Sequence, residues 1–281
     1  IGITGTPGAG KSSLVSSTTR EMLRLDPEAT LAVVAVDPSS SRTGGSVLGD
    51  RTRMARLTAS EDAFVRPSPS GSHLGGVARA TRESMLVLEA AGFGVVIVET
   101  VGVGQSEVAV SEMVDTFLML ALPRSGDQLQ GIKRGILELA DVIAVNKADG
   151  EHAGEARVTA RELSGAMRLM NPSPEARRPP VIACSALTGD GLDEVWQAVL
   201  DHRAHLEENG SLEGRRAQQQ QEWMWAMVDA ELRDAVRRSP RVRELLAEIT
   251  PGVRTGSVSA VDGAARIIAA FGADLAQRPG E

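Results

Sequence analysis

Unbroken apolar runs alternate with helix-length amphipathic stretches along the chain as far as Leu206. Residues 1–4 read as a short buried strand, and the runs 31–36, 95–98, 116–122, 142–145 and 181–183 follow. Their hydrophobicity is continuous rather than alternating, which suits strands covered on both faces, as in a parallel sheet. Helices fit between them at 13–25, 75–91, 130–139, 152–169 and 191–206. This alternation predicts an α/β fold with a doubly wound, mostly parallel sheet. Asn171-Pro172-Ser173-Pro174 reads as a loop. Past Glu207 the pattern changes: Asn209-Gly210 marks a break, no strand-like run follows, and 212–238, 241–249 and 259–271 read as helices. The predicted organisation is a domain over 1–206 and a helical extension over 207–281. All three tryptophans, Trp196, Trp223 and Trp225, lie at or beyond the last α/β unit. A polar helix with an aromatic stripe outside a complete domain packs either on another subunit or back on its own domain. The pattern leaves both open; the first makes the extension a dimerisation arm.

The loop after the first strand is Gly5-Thr6-Pro7-Gly8-Ala9-Gly10-Lys11-Ser12. It matches G-x-x-x-x-G-K-[ST], the phosphate-binding P-loop, in the strand–loop–helix context that the motif requires. Glycines let the backbone curl so that its N–H groups face phosphate oxygens, and the helix N-terminus adds a favourable dipole. Gly5, Gly8, Ala9, Gly10, Lys11, Ser12 and Ser13 are therefore the expected cradle. Lys11 reaches the β- and γ-phosphates in this reading, and the Ser12 hydroxyl binds Mg²⁺. The bland alternative is a glycine-rich turn before a helix.

Asn146-Lys147-Ala148-Asp149 ends the fifth apolar run, at the sheet edge where open α/β sheets bind ligands. N-K-x-D is weak alone; downstream of a P-loop it reads as a guanine reader. The Asp149 carboxylate accepts from guanine N1–H and the exocyclic amine. Adenine offers neither donor and would leave that carboxylate desolvated and unpaired. Asn146 bonds the base or ties its loop to the P-loop, and the Lys147 stem covers a ring face. The competing reading is an Asn or Asp helix cap. Cys184-Ser185-Ala186-Leu187 follows the last strand. Ser185, Ala186 and Leu187 gain meaning only from their order after the other two motifs, with a backbone N–H meeting guanine O6.

A formal net charge of −7, with no Lys/Arg-rich stripe, argues against broad nucleic-acid binding. No run approaches the roughly 18–20 apolar residues of a membrane span. A single cysteine excludes an intramolecular disulfide framework and fits a reducing cytoplasm. Cys184 ends an apolar strand and is expected to be a buried structural thiol. No signal peptide is visible, but the sequence opens almost directly on the first strand, which predicts a preceding segment.

Mg²⁺ takes one or two carboxylates plus phosphate and water. Asp37 and Glu99 each end a strand beside the P-loop strand, and Asp50 closes the Ser/Gly-rich loop 38–49, making these acids the metal candidates with Ser12. For each alone, a helix cap or surface charge is the alternative. Glu99-Thr100-Val101-Gly102 resembles the D-x-x-G of GTPases with Glu for Asp, and Gly102 N–H is placed to sense the γ-phosphate. Val103 stands where a water-positioning Gln follows that glycine in many GTPases; Gln105, two further on, is a candidate for the task. Slow intrinsic hydrolysis is expected. The 123–133 loop carries Arg124, Asp127, Gln128 and Lys133 on the same sheet edge and reads as a third switch or as an ordinary βα loop.

These blocks, with Val36-Asp37-Pro38-Ser39-Ser40, residues 44–54, Glu99 through Glu107, and residues 126–135, resemble the MeaB/ArgK/MMAA GTPases over nearly the whole chain, most loosely after Glu207. The resemblance implies a homodimeric G-protein chaperone of adenosylcobalamin-dependent methylmalonyl-CoA mutase. Such proteins gate cofactor delivery, protect or rescue the mutase, and hydrolyse GTP slowly until the mutase stimulates them. It also implies that Asp37, Asp50 and Glu99 surround Mg²⁺, and that the 123–133 loop, with Lys133, faces the partner. Expected cofactors are thus GTP or GDP and Mg²⁺. An older family label, an ATPase or kinase for basic amino-acid transport, sits poorly with the guanine motif, and no ABC-type L-S-G-G-Q is present. A nickel-inserting GTPase needs clustered Cys or His. His73 and His152 stand apart, and His202 and His205 read as a solvated i, i+3 helix pair. A small-molecule kinase is a third class, distinguished by phosphate transfer rather than release.

Overall fold

A computed structural model of the chain describes residues 1–26, 28–37, 63–69, 74–100, 106–123, 134–173 and 177–276. Within them the chain forms two compact units, residues 1–219 and 220–281.

The first unit is a seven-stranded, all-parallel sheet with helices on both faces. The strands are β1 (Gly2–Gly5), β2 (Leu31–Asp37), β3 (Ala63–Pro69), β4 (Val95–Glu99), β5 (Phe117–Ala121), β6 (Val142–Val145) and β7 (Val181–Ala183). Their spatial order is β3-β2-β4-β1-β5-β6-β7, so β1 is central and the loop after it sits where the winding reverses. The described helices of this unit are α1 (Lys11–Leu25), α2 (Leu74–Ala90), α3 (Ser106–Ser111), α4 (Arg134–Leu139), α5 (Ala153–Met170) and α6 (Leu192–Glu208), and it also holds the start of α7 (Ser211–Arg238). Successive strand residues face opposite ways. Ile3, Leu31, Val33, Ile97, Leu118 and Leu120 pack under α1 and α6. Ala32, Val34, Val98 and Phe117 join the α2 and α3 side, and Met119, Ile143 and Val145 meet α5 through Leu163 and Met167. Fully burying such a side chain contributes about 1.5–3 kcal/mol. That two-sided burial is the reason the strand sequences lack polar alternation.

Strand β3 was not expected from the apolar pattern. Its sequence, Ala-Phe-Val-Arg-Pro-Ser-Pro, holds two prolines, yet it pairs with β2 along its full length, from Leu31–Ala63 to Asp37–Pro69. It lies at the sheet edge. There a proline with no N–H disrupts no second ladder.

The histidine expectation is corrected. His202 is not solvated: it faces inward on α6 with Leu192, Val195, Trp196, Val199 and Leu206, while His205 is exposed. Its Nδ1 lies 2.9 Å from Thr116 Oγ1 and its Nε2 lies 3.3 Å from Asp141 Oδ1. Burial holds its pKa below the ordinary value despite Asp141. Asp141 also accepts from Phe117 N–H at 2.8 Å and from Arg215 at 3.2 Å. Arg216 meets Asp115, and Gln219 donates to Val114 O at 2.9 Å. These contacts make the first turns of α7 part of the sheet domain. The compact units accordingly divide at Gln219, whereas the sequence pattern changes at Glu207.

The second unit contains the rest of α7, α8 (Pro240–Thr255) and α9 (Ala260–Leu275). Ser239 caps α8 by accepting from Val242 N–H at 3.2 Å, and Ser259 caps α9 by accepting from Asp262 N–H at 3.0 Å. Helix α8 continues through Pro251 to Thr255 instead of ending at Ile249. An interior proline costs roughly 3 kcal/mol. Packing of Ile249 and Val253 beside Gly263 of α9 offsets it. Exposed apolar side chains line both long helices: Trp225, Val228 and Leu232 on α7, and Val261, Ile268 and Leu275, spaced by seven, on α9. Among the described residues no helix is long and apolar enough to cross a membrane.

Candidate functional site

The P-loop leaves β1 through Gly5 and enters α1 at Lys11. Gly10, immediately before α1, has φ +85°, and a Cβ there would lie 2.6 Å from Asn146 Nδ2. Both the left-handed backbone and the close approach demand glycine. At Gly5 a Cβ would lie 2.7 Å from Leu120 O of the neighbouring strand. Lys11 is buried, with Nζ donating to Gly5 O at 2.8 Å and, less closely, to Thr6 O at 3.4 Å. The loop therefore curls around its own ammonium. Burial lowers the Lys11 pKa, opposed by the charges of Glu99 first and Glu107 second.

Ser12 Oγ donates to Glu99 Oε1 at 2.7 Å. Two hard oxygens, one from the P-loop helix and one from the end of β4, thus stand side by side. Glu99 is buried. Asp37 ends β2, which pairs with β3 and β4 and not, as expected, with the P-loop strand β1; β4 lies between them. Asp50, Gly102, Gln105, Asp127 and Lys133 lie outside the described residues, as do the 38–50 loop and the 124–133 segment. Thr100 N–H donates to Ile3 O at 2.9 Å and its hydroxyl to Thr4 Oγ1 at 3.1 Å, pinning the chain beyond Glu99 to the P-loop strand.

The base-edge motifs are tied together through Asn146, which is buried at the end of β6. Its Nδ2 donates to Ala9 O at 2.7 Å, and its Oδ1 accepts from Ala186 N–H at 3.0 Å. One amide therefore joins the P-loop to the loop after β7. Of the two roles open to Asn146, this geometry is the loop tie. Lys147 adopts φ +64°, rare for a residue with a side chain. Ser185 Oγ donates to Asp149 Oδ2 at 2.5 Å and accepts from Leu187 N–H at 3.2 Å and Thr188 N–H at 3.1 Å. The carboxylate is thereby held by a hydroxyl that is itself fixed by backbone. Leu187 is 83% exposed. Ser17 Oγ donates to Ala186 O at 2.8 Å, closing the circuit back to α1. That role carries no local sequence signal, because a mid-helix serine resembles any other. Cys184 is fully buried, and burial pushes its thiol pKa up to about 12, so it is structural.

The arrangement brings together the Lys11 ammonium, a Ser12–Glu99 oxygen pair and a braced Asp149 along one sheet edge. Among the described residues no group of three or more His, Cys, Asp or Glu is placed to hold a metal ion. A hydrated Mg²⁺ needs no such group, since it uses few protein ligands.

Comparisons with known proteins place the chain among its relatives. A family model described as methylmalonyl Co-A mutase-associated GTPase MeaB matches residues 1–241. A protein of Mycobacterium tuberculosis named a probable GTPase is 52% identical over 268 residues, covering 95% of this chain and 79% of its own length. GTPase ArgK of Escherichia coli is 46% identical over 83% of this chain and 70% of its own. The mitochondrial methylmalonic aciduria type A homolog of Mus musculus is 39% identical, over 96% of this chain and 65% of its own. A crystal structure titled LAO/AO transport system kinase superposes with TM-score 0.71 at 34% identity, over 95% of this chain and 79% of that one. HypB from Helicobacter pylori, solved with nickel, superposes with TM-score 0.52 over 73% of this chain and 86% of that one, at 16% identity; that likeness concerns the fold alone. The chain belongs to the MeaB family of GTPases.

Proposed function

We propose that the chain is a Mg²⁺-dependent GTP-binding and GTP-hydrolysing chaperone that gates cofactor loading and protection of a cobalamin-dependent methylmalonyl-CoA mutase. The observation that carries the nucleotide choice is the Ser185–Asp149 bond, which aims a braced acceptor at the edge where the Asn146 loop meets the P-loop. Support for the client comes from the family description, which is mutase-associated, and from the name of the mouse relative. Ser12 and Glu99 fit as Mg²⁺ holders because their oxygens already lie 2.7 Å apart beside a buried ammonium; Asp37 and Asp50 complete the proposed set. The bound ion would neutralise charge on the β- and γ-phosphate oxygens. Lys11 clamps the same phosphates, and Gly102, Gln105 and Lys133 are the proposed switch and catalytic positions outside the described residues. Asn146 holds the base loop, Lys147 covers the base, and Asp149 reads it.

Val103 occupies the position of a water-orienting Gln, so the chain alone is expected to hydrolyse GTP slowly. Methylmalonyl-CoA mutase from the same organism is expected to raise the single-turnover rate by about tenfold or more, which is about 1.4 kcal/mol of barrier. Lys133→Ala or Asp127→Ala should reduce that acceleration and leave GDP affinity nearly intact. A mutase that neither binds nor changes the rate would remove the chaperone role while leaving the GTPase. Phosphoryl transfer to a basic amino acid, in place of phosphate release, would instead favour the kinase reading suggested by the name of the solved relative.

We also propose a homodimer formed through the helical extension. The exposed heptad-spaced stripe Val261, Ile268 and Leu275, with Trp225 and Leu232 on α7, supports it. Light scattering of the full chain should give twice the monomer mass. Val261→Asp combined with Ile268→Asp should give the monomer with GDP binding retained. A dimer that survives both substitutions places the interface elsewhere.

A further inference from the structure

Glu107 stands on α3 and is 3% exposed. Its Oε2 is buried and has no hydrogen-bond partner among the described residues. An ionised carboxylate withdrawn from water costs several kcal/mol unless charge or hydrogen bonds compensate. Packing alone gives no reason for an acid here. The next turn of the same helix face carries Val110, a core residue that approaches β1 so closely that a Cβ at Gly2 would lie 2.8 Å from its Cγ1.

The placement of α3 indicates where Glu107 sits. The helix joins β4 to β5, and both run parallel to β1. It therefore returns from the P-loop edge of the sheet to the opposite edge. Val110 covers Gly2, at the start of β1; Glu107, one helical turn earlier, lies nearer the P-loop end. Along β1 the residues alternate, so Thr4 shares the α3 face with Gly2, whereas Ile3 joins the core under α1. The Thr4–Thr100 hydroxyl pair belongs to this same corner. So does Lys11, whose ammonium feels the charge of Glu107 second only to that of Glu99. Two buried acids thus lie within range of one buried ammonium, a corner whose acceptor oxygens suit a hydrated cation.

We propose that Glu107 is a positioning residue for the hydrated Mg²⁺ of the nucleotide site, its Oε2 accepting a hydrogen bond from a water molecule that the ion carries. This inference rests on the GTPase reading above. Mg²⁺ sheds its waters reluctantly and takes few ligands from protein, so acceptors that hold those waters orient it. Loss of such outer-layer partners typically costs about 10–100-fold in metal affinity or activity. Glu107 touches neither the base nor the phosphates in this role.

The test is calorimetric titration of Mg²⁺ into the full chain loaded with GDP in metal-free buffer, for wild type and Glu107→Gln. The variant keeps size and one acceptor oxygen but loses the charge. The expected result is a Mg²⁺ Kd raised about 10–100-fold, with GDP affinity measured in chelator unchanged. A merely structural acid would move both affinities or neither. A Mg²⁺ Kd within about twofold of wild type overturns the inference. If Glu107→Gln fails to fold, a crystal structure of the wild-type chain with GDP and Mg²⁺ decides. A Glu107 oxygen within hydrogen-bond distance of a metal-bound water supports the role; a carboxylate bonded to protein groups alone overturns it. Wild-type protein that binds neither GDP nor GTP would overturn the nucleotide-site reading on which the inference rests, a failure distinct from a variant that matches wild type.

Discussion

Lys11→Ala is expected to lower the rate of GTP hydrolysis by about 10²–10³-fold, the scale of losing a donor aimed at developing transition-state charge. The ammonium is buried inside the curl of its own loop, held by Gly5 O at 2.8 Å, so it is positioned before any phosphate arrives. Removing it also takes away the ammonium that offsets the charges of Glu99 and Glu107. Tighter binding cannot compensate for that loss, so Mg²⁺·GTP affinity should fall together with turnover. Phosphate release in a single turnover at saturating Mg²⁺·GTP is the measurement. A fall of less than about tenfold would mean that Lys11 is not the phosphate clamp.

Asp149→Asn is expected to exchange guanine for xanthine. The wild-type carboxylate presents acceptors to the two guanine donors and is held for that purpose by Ser185 Oγ. The amide introduces a donor opposite the guanine amine, where xanthine instead carries an oxygen. Sites built around hydrogen bonds reject analogues lacking the partner by about 10⁴-fold or more, so the ratio of GDP to XDP affinity should swing by a factor of that order. Competition of GDP, XDP and ADP against a fluorescent guanine nucleotide measures it. An unchanged GDP:XDP ratio would take Asp149 out of base recognition, and equal wild-type affinity for ADP and GDP would remove the guanine assignment altogether.

The parallel core was legible because two-sided burial leaves its mark directly on sequence: β2, β4, β5 and β6 are apolar at nearly every position. Strand β3 was not, because an edge strand obeys weaker rules and admits the prolines that ordinarily signal a loop. The end of α8 was misplaced for a related reason. Pro251 is a strong local stop signal, and only contacts with a helix later in the chain override it. His202 shows the same limit on a single side chain. Its spacing from His205 suggests a shared face, but three residues turn an α-helix by about 300°, enough to put one ring in the core and the other in water. At the site, the P-loop and the N-K-x-D segment were legible because each must be contiguous to do its chemistry. The Asn146 tie to Ala9 and Ala186, the Ser17 contact and the buried Glu107 join segments far apart in sequence, and no local pattern records such pairings.

The Asn146 bridge has a consequence for the order in which the chain becomes competent. The P-loop precedes β6 and β7 in the chain, yet its carbonyl at Ala9 is held by an amide just after β6, which in turn accepts from the N–H of Ala186 beyond β7. A nascent chain that has emerged only through β5 carries the whole phosphate motif but none of the clasp. A nucleotide held by the P-loop and the Asn146 loop together would bind only a chain in which that clasp has formed. A ligand at a thousand times its Kd adds about 4.1 kcal/mol to the state that binds it. Bound nucleotide would thus favour a sheet with β6 and β7 in place over one that lacks them.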